Sequence, residues 1–336
     1  MTPTEWIIWG GLGIGLLYGV VAQMSGFCLN SAIRNQVKHH QGDKLRSFLL
    51  AMAVALVGTQ VIADTGLVDI SGSIYTTSRV SWVLTIFGGL LFGYGMILAR
   101  GCGARTLVLL GQGNLRSLVV LLCLGISAYA TLSGLLGPLR NWANEQTAVG
   151  LDSYTFESAT FRWGFVVLFC LAVLFYILKN KEFLKQFNDL FSGFAIGLLI
   201  VSGWLVTGWL GLDEFEPTAP VSLTFIAPIG ATIQYIMIAT GTSLNFGIVV
   251  VLGVLAGSFM SAVLTRQFQI TGFDETLTMP RYIIGGVMMG IGGALAMGCS
   301  VGQGLTGFST LSFVSLAAVV SIVIGARLAL LHKATN

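Results

Sequence analysis

The sequence predicts an all-α polytopic membrane protein. Three observations carry that prediction. Only 9% of the 336 residues are charged, and the mean hydropathy is +0.86. A soluble domain usually carries about 25% charged residues, so a water-facing surface of this size is excluded. The apolar runs are about 20 residues long, not about ten with alternation, which excludes an outer-membrane barrel. There are 44 glycines, the residue that lets membrane helices approach closely or the chain re-enter the bilayer. Composition therefore excludes a cytosolic enzyme, a nucleic-acid binder and a disordered chain.

Taken in order, nine segments are long enough to span: 6–24, 46–63, 81–99, 115–137, 162–178, 190–209, 245–264, 281–297 and 311–331. Four stretches between them, 26–37, 103–112, 223–240 and 300–307, are too short, or too rich in Gly, Pro and polar residues, to span alone. Backbone of that kind is tolerated at membrane depth only inside protein or beside a wet cavity, so these four read as re-entrant half-helices. The stretch 223–240 has a second reading, as a tenth span. The chain is one membrane domain over 1–336.

The basic residues orient the nine spans. With the N-terminus outside, only Arg79, Arg140 and Arg162 of the 17 Lys and Arg lie on the outer side. The C-terminus is then cytoplasmic. No basic stretch precedes the first span, so no cleaved signal peptide is expected. The inner loop 34–46, RNQVKHHQGDKLR, reads as an anchor against lipid headgroups.

Self-comparison shows a repeat. Residues 86–102, IFGGLLFGYGMILARGC, and 283–299, IIGGVMMGIGGALAMGC, are identical at nine of seventeen positions at an offset of 197. GIGLL at 13–17 is echoed by AIGLL at 195–199. The expected halves are 6–137 and 190–331, with 162–178 as a connecting span. Five spans separate the two GC motifs, so the halves are inverted and the plan is hourglass-like. Inverted repeats with broken helices are a transporter and channel plan. The pairs Gly89/Gly93 and Gly286/Gly290 read as helix-packing faces.

Three segments could carry chemistry: SGFCLNSAIRN (25–35), ARGCGARTLVLLGQGN (99–114) and AMGCSVGQGLTGFS (296–309). Each puts a cysteine, Cys28, Cys102 or Cys299, at the end of a span and just before a short segment. Gly101 and Gly103 flank Cys102, and Gly298 precedes Cys299, so backbone N–H groups can approach a ligand. A half-helix N-terminus adds a positive dipole end, which suits an anion. Asn30, Ser300 and Gln303 add uncharged donors. A thiol is a weak, polarisable donor, so a thiol-lined path suits a soft sulfur or selenium solute. Arg105 reads either as an inner-side anchor or as an attraction for an anion. Cys123 and Cys170 read as small apolar residues in spans. No CxxC pair, metal-ligand spacing or nucleotide motif occurs, so no metal, cofactor or catalytic group is expected.

These motifs resemble the YeeE/YedE sulfur-transport family of bacterial inner-membrane proteins, which includes thiosulfate importers. The resemblance rests on GFCL (26–29), the glycine run ending in GC at 88–102, NFGIVVVLGVLAGSF (245–259) and GGVMMGIGGALAMGCSVGQGL (285–305), and it covers nearly the whole chain. It implies nine spanning and four short helices, and an inner-membrane location. It also implies a permease whose three thiols, at Cys28, Cys102 and Cys299, pass thiosulfate inward. Residues 102–106 read CGART, where the family's thiosulfate importers have a smaller, uncharged stretch. Arg105 is therefore expected to bear on selectivity or conduction. Three further readings stay open: a selenium-species transporter, a membrane thiol redox or sulfur-transfer protein, and a subunit loading a small cytoplasmic sulfur-carrier protein.

Overall fold

In a computed structural model, residues 2–77, 79–150, 155, 158–212, 219–272 and 279–334 are described. Thirteen α-helices account for most of them: α1 (Pro3–Ser25), α2 (Leu29–His39), α3 (Asp43–Asp64), α4 (Trp82–Leu98), α5 (Gly103–Gly111), α6 (Leu115–Leu132), α7 (Gly137–Thr147), α8 (Ala159–Leu178), α9 (Phe187–Leu205), α10 (Ile226–Met237), α11 (Phe246–Leu264), α12 (Met279–Leu295) and α13 (Phe313–Ala334). Two π-helical turns, Val206–Leu210 and Gly302–Gly307, interrupt this pattern. The chain is an all-α polytopic membrane protein.

Among the described residues, eight helical segments are long and apolar enough to cross a membrane. Two of them, Pro3–His39 and Trp82–Gly111, each join a long helix to the short one after it. The ninth expected span is α12, with 17 residues, the same length as α4. At 1.5 Å per residue that is about 25 Å, a little under the hydrocarbon core. The four short segments are all present as α2, α5, α10 and the turn at Gly302–Gly307. With 12 residues, α10 is too short for the tenth-span reading of 223–240. Two features were not expected. After α6 the chain forms α7, and strand β2 (Ala148–Gly150) pairs antiparallel with β1 (Arg79–Ser81).

Helix starts follow their caps. Thr2 and Glu5 form a reciprocal capping box at α1, and Ser81, Asn114 and Asn245 accept first-turn N–H groups of α4, α6 and α11. Helix packing follows the glycines, because lipid supplies no hydrophobic drive between helices and close backbone contact must replace it. On α4 and α12 the contacts run in matched pairs. A Cβ at Gly88 would sit 2.6 Å from the Gly292 carbonyl oxygen, and one at Gly292 2.6 Å from that of Gly88. Gly95 and Gly285 face each other in the same way, at 2.7 and 2.8 Å. The other faces match too: a Cβ at Gly93 would sit 2.9 Å from Ala326 N of α13, and one at Gly290 2.9 Å from Ala128 N of α6. Elsewhere, Gly15, Gly19, Gly253 and Gly257 join α1 to α11, while Gly193 and Gly197 join α9 to α3.

The helix α8 stands apart. Of its side chains only Val166, Val173 and Ile177 are buried, while Phe161 and Phe175 are among the most exposed apolar residues. It is held at its first turn, where Arg162 pairs with Asp64 and the Trp163 indole N–H donates to the same carboxylate at 2.6 Å. Lys44 makes a second tie, donating to Ser25 O at 2.7 Å and to Asp189 at 2.6 Å. One ammonium thus joins the end of α1 to the starts of α3 and α9.

Candidate functional site

The three cysteines share one local construction. A long helix ends, one residue adopts the left-handed conformation, and the cysteine follows two residues later. The left-handed residues are Gly26 (φ 65°), Arg100 (φ 57°) and Met297 (φ 58°). At α4 the N–H of Gly101 bonds Met96 O at 3.1 Å, and at α12 the N–H of Gly298 bonds Gly293 O at 2.9 Å. Both are the six-to-one closure that ends a helix tightly and satisfies a terminal carbonyl. Arg100 and Met297 occupy it without being glycine, a conformation that costs about 1–2 kcal/mol. Cys28 and Cys102 then cap α2 and α5, and Cys299 enters the π-helical turn.

All three thiols are buried, at 4%, 2% and 1% exposure for Cys28, Cys102 and Cys299, and all are free. Cys28 and Cys102 come from different turns yet lie 3.6 Å apart, sulfur to sulfur. Two crossed hydrogen bonds bring them together. Asn30 on α2 donates its amide to Met96 O at the end of α4, at 3.1 Å. Arg105 on α5 donates from its guanidinium to Ala22 O at the end of α1, at 3.2 Å. Each short helix therefore grips the end of the other's parent helix.

Cys299 is held differently. Its sulfur accepts the Gly302 N–H at 3.2 Å, as a capping oxygen would. Gln303 donates its amide to Ala296 O at 2.7 Å, bracing the end of α12. The Gln303 Oε1, the Ser300 hydroxyl and the Tyr75 hydroxyl are buried without a hydrogen-bond partner among the described residues. An unpartnered buried polar group costs about 1–3 kcal/mol, so these three atoms are an energetic cost of the fold at this turn.

The expected donors thus divide. Cys28, Cys102, Cys299 and Ser300 are brought together: Ser300 is fully buried and within reach of the Cys102 thiol. Asn30, Gln303 and Arg105 spend amide or guanidinium N–H groups on backbone carbonyls. The glycines differ in room. A Cβ at Gly101 would meet nothing closer than 3.7 Å, one at Gly103 would touch Ile229 at 3.4 Å, and one at Gly298 would press Gln303 at 3.1 Å. Sequence reading missed two tyrosines. Tyr18, 1% exposed on α1, lies within electrostatic range of all three thiols and of Arg105, and Tyr75 within that of Cys299. The only signal was a phenol in an otherwise apolar run. No group of three His, Cys, Asp or Glu able to hold a metal occurs among the described residues.

The profile of a family described as sulphur transport matches residues 24–328. A protein named thiosulfate transporter TsuA from Escherichia coli (strain K12) is 26% identical over 347 residues, covering 95% of this chain and 92% of that protein. A second protein of that name, from Spirochaeta thermophila, is 25% identical over 337 residues, covering 95% and 97%.

Proposed function

The chain belongs to the sulphur transport family, and from that premise we propose that it is a permease importing thiosulfate or a closely related sulfur anion along Cys28, Cys102 and Cys299. The observation that carries the reading is the gathering of buried, free thiols at three helix ends, with Cys28 and Cys102 at 3.6 Å. Two relatives matching nearly end to end carry the name thiosulfate transporter.

The chemistry follows from the donors. A dianion leaving water loses strong hydration and needs compensating donors along its way. Thiol S–H groups and first-turn N–H groups supply them without fixed charge. Each contact is weak, so the ion is held and then released, as conduction requires. The soft sulfur of thiosulfate matches a polarisable thiol better than an all-oxygen anion does. The hydroxyl groups of Ser300 and Tyr75 would donate from the Cys299 side. In this reading Asn30 and Arg105 are positioning residues that hold the Cys28–Cys102 pair. The two chain halves act as inverted repeats about the α4–α12 seam, a reading supported by the matched Gly88/Gly292 and Gly95/Gly285 contacts. The protein lies in a bacterial inner membrane with its N-terminus outside, and it transports rather than catalyses.

The test is uptake of labelled thiosulfate by proteoliposomes containing the purified chain. Uptake should fall steeply in Cys102→Ala and Cys299→Ala; unchanged rates would remove the relay. The 3.6 Å sulfur contact also favours a second reading, thiol redox or sulfur transfer. A persulfide or disulfide trapped by mass spectrometry during turnover would support it, and free thiols throughout would exclude it.

A further inference from the structure

The offset of 197 residues reaches beyond the glycine runs. Helices α4 and α12 begin at Trp82 and Met279 and end at Leu98 and Leu295, both pairs 197 residues apart. Helices α2 and α10 begin at Leu29 and Ile226, again 197 apart. The cap residues before those two starts are Cys28 and Phe225. Three residues earlier stand Ser25 and Ser222, both buried, and each donates its hydroxyl to a helix carbonyl, Val21 O and Ile200 O. The place that holds a thiol in the first half therefore holds a phenyl ring in the second.

The contacts follow the same correspondence. Cys28 meets Cys102, and Phe225 meets Cys299, with its backbone N–H within interaction range of that sulfur. Phe225 also reaches the other turn. A Cβ at Gly103 would sit 3.8 Å from the Phe225 Cβ, and the other atoms near it belong to Ile229 and Leu124. The Phe225 ring centroid lies 5.3 Å from that of Tyr18, which is within electrostatic range of all three thiols. Both rings are sealed, at 0% and 1% exposure. A side chain without a donor thus stands where the two GC turns and the α1 tyrosine meet.

The chemistry of a thiol-lined path gives that ring a task. Thiols and hydroxyls alone would wet, and a wetted passage lets small ions through. An apolar ring expels water, so a hydrated ion must shed its shell there, at a large cost. Hydrophobic constrictions close in this way, by dewetting. A monatomic ion has one point of contact and loses its donors as it passes. Thiosulfate has oxygens at one end and sulfur at the other, so it keeps one donor while reaching the next. Ring edges carry partial positive charge and do not repel it.

We propose that Phe225, beside Tyr18, is the seal of the crossing: it closes the centre to water and monatomic ions and passes a polyatomic anion that bridges donors on either side. This rests on the permease reading and on the pairing of the two halves.

The full chain is reconstituted in phosphatidylcholine vesicles loaded with a chloride-quenched dye. Chloride entry is measured with the potential clamped by valinomycin and potassium. Phe225→Ala should raise chloride entry about tenfold or more over wild type, while uptake of labelled thiosulfate persists. Phe225→Leu keeps an apolar side chain and should stay within about twofold of wild type. Phe183→Ala is the packing control. That ring is also 0% exposed, but it lies in a separate cluster with Val173 and Ile177, and its loss should admit no chloride. Unchanged chloride entry in Phe225→Ala overturns the seal, and so does an equal leak in Phe183→Ala. If Phe225→Ala is lost on purification, Phe225→Cys, which copies the matching position, reads the same leak: chloride entry supports the seal and a tight vesicle overturns it. If the wild type carries no thiosulfate, the permease reading fails by itself, and the chloride comparison still decides the seal.

Discussion

The turns at Cys102 and Cys299 follow helices that share nine of seventeen residues, and their structures diverge at the cysteine. Both parent helices have 17 residues, both end through a left-handed non-glycine residue, and both close with the same hydrogen bond. After Cys102 the chain forms a regular nine-residue helix, and the thiol faces Cys28. After Cys299 it forms a π-helical turn, and the thiol accepts a backbone N–H beside three unpartnered oxygens. One turn builds a thiol pair, while the other holds a single thiol by a backbone N–H, near the Ser300 and Tyr75 hydroxyls and the Gln303 side-chain oxygen. The backbone device is therefore shared, and the polar surroundings set what each turn can hold.

The widest test of that contrast is removal of the thiols. Cys102→Ala and Cys299→Ala should each lower thiosulfate uptake about 100-fold, equivalent to about 2.7 kcal/mol of barrier. Copper-phenanthroline oxidation should cross-link Cys28 to Cys102 and leave Cys299 free, which mass spectrometry reads directly. Next comes the seam on which both turns rest. Gly88→Leu and Gly285→Leu put side chains into backbone contact and should each cost about 3 kcal/mol or more in detergent unfolding. Equal costs sharpen the pairing of the two turns, and unequal costs break it. Gly13→Ala meets nothing within 4 Å and serves as the control, with no loss and a gain of about 0.5–1 kcal/mol from lower chain entropy.

Smaller effects separate the turns further. Asn30→Ala removes one of the crossed bonds and should cost about 1–2 kcal/mol while slowing the Cys28–Cys102 cross-link. Met297→Gly should stabilise by about 0.5–1 kcal/mol, since relief of the left-handed penalty exceeds the added chain entropy. The smallest effect lies outside both turns. The hydroxyl and N–H of Ser71 donate to Asp69 and hold its carboxyl below the usual carboxylate range. That stability is present above the ordinary aspartate pKa and lost as pH falls through the lowered value. The difference between wild type and Ser71→Ala should therefore be visible near pH 6 and vanish in acid.

Much of this was legible in the sequence because membrane helices announce themselves locally. Apolar length places the spans, and Gly89, Gly93, Gly286 and Gly290 mark the packing faces found on α13 and α6. The half-helices follow from short runs rich in glycine and polar residues. What sequence could not supply was contact across distance. Cys28 and Cys102 are 74 residues apart, and the bonds joining them end on the backbone carbonyls of Met96 and Ala22. Any residue type supplies such an acceptor, so no pattern betrays it. Arg100 and Met297 hid for a related reason, because a left-handed turn is advertised by glycine and neither site has one. Tyr18 and Tyr75 carry no sequence signal beyond a phenol in an apolar span and in a loop.

Burial of the three turn thiols has a practical consequence. Cys123 and Cys170 are only half-buried but sit on spans that face lipid or neighbouring helices, whereas Cys28, Cys102 and Cys299 are nearly sealed. Alkylation by a water-soluble maleimide needs an open passage, so its rate at those three sulfurs counts openings. With Cys123 and Cys170 replaced by alanine, the protein becomes its own stopwatch. The order in which Cys299 and the Cys28–Cys102 pair are modified from one side of a vesicle would time, without any transported solute, which of the two turns opens to water first.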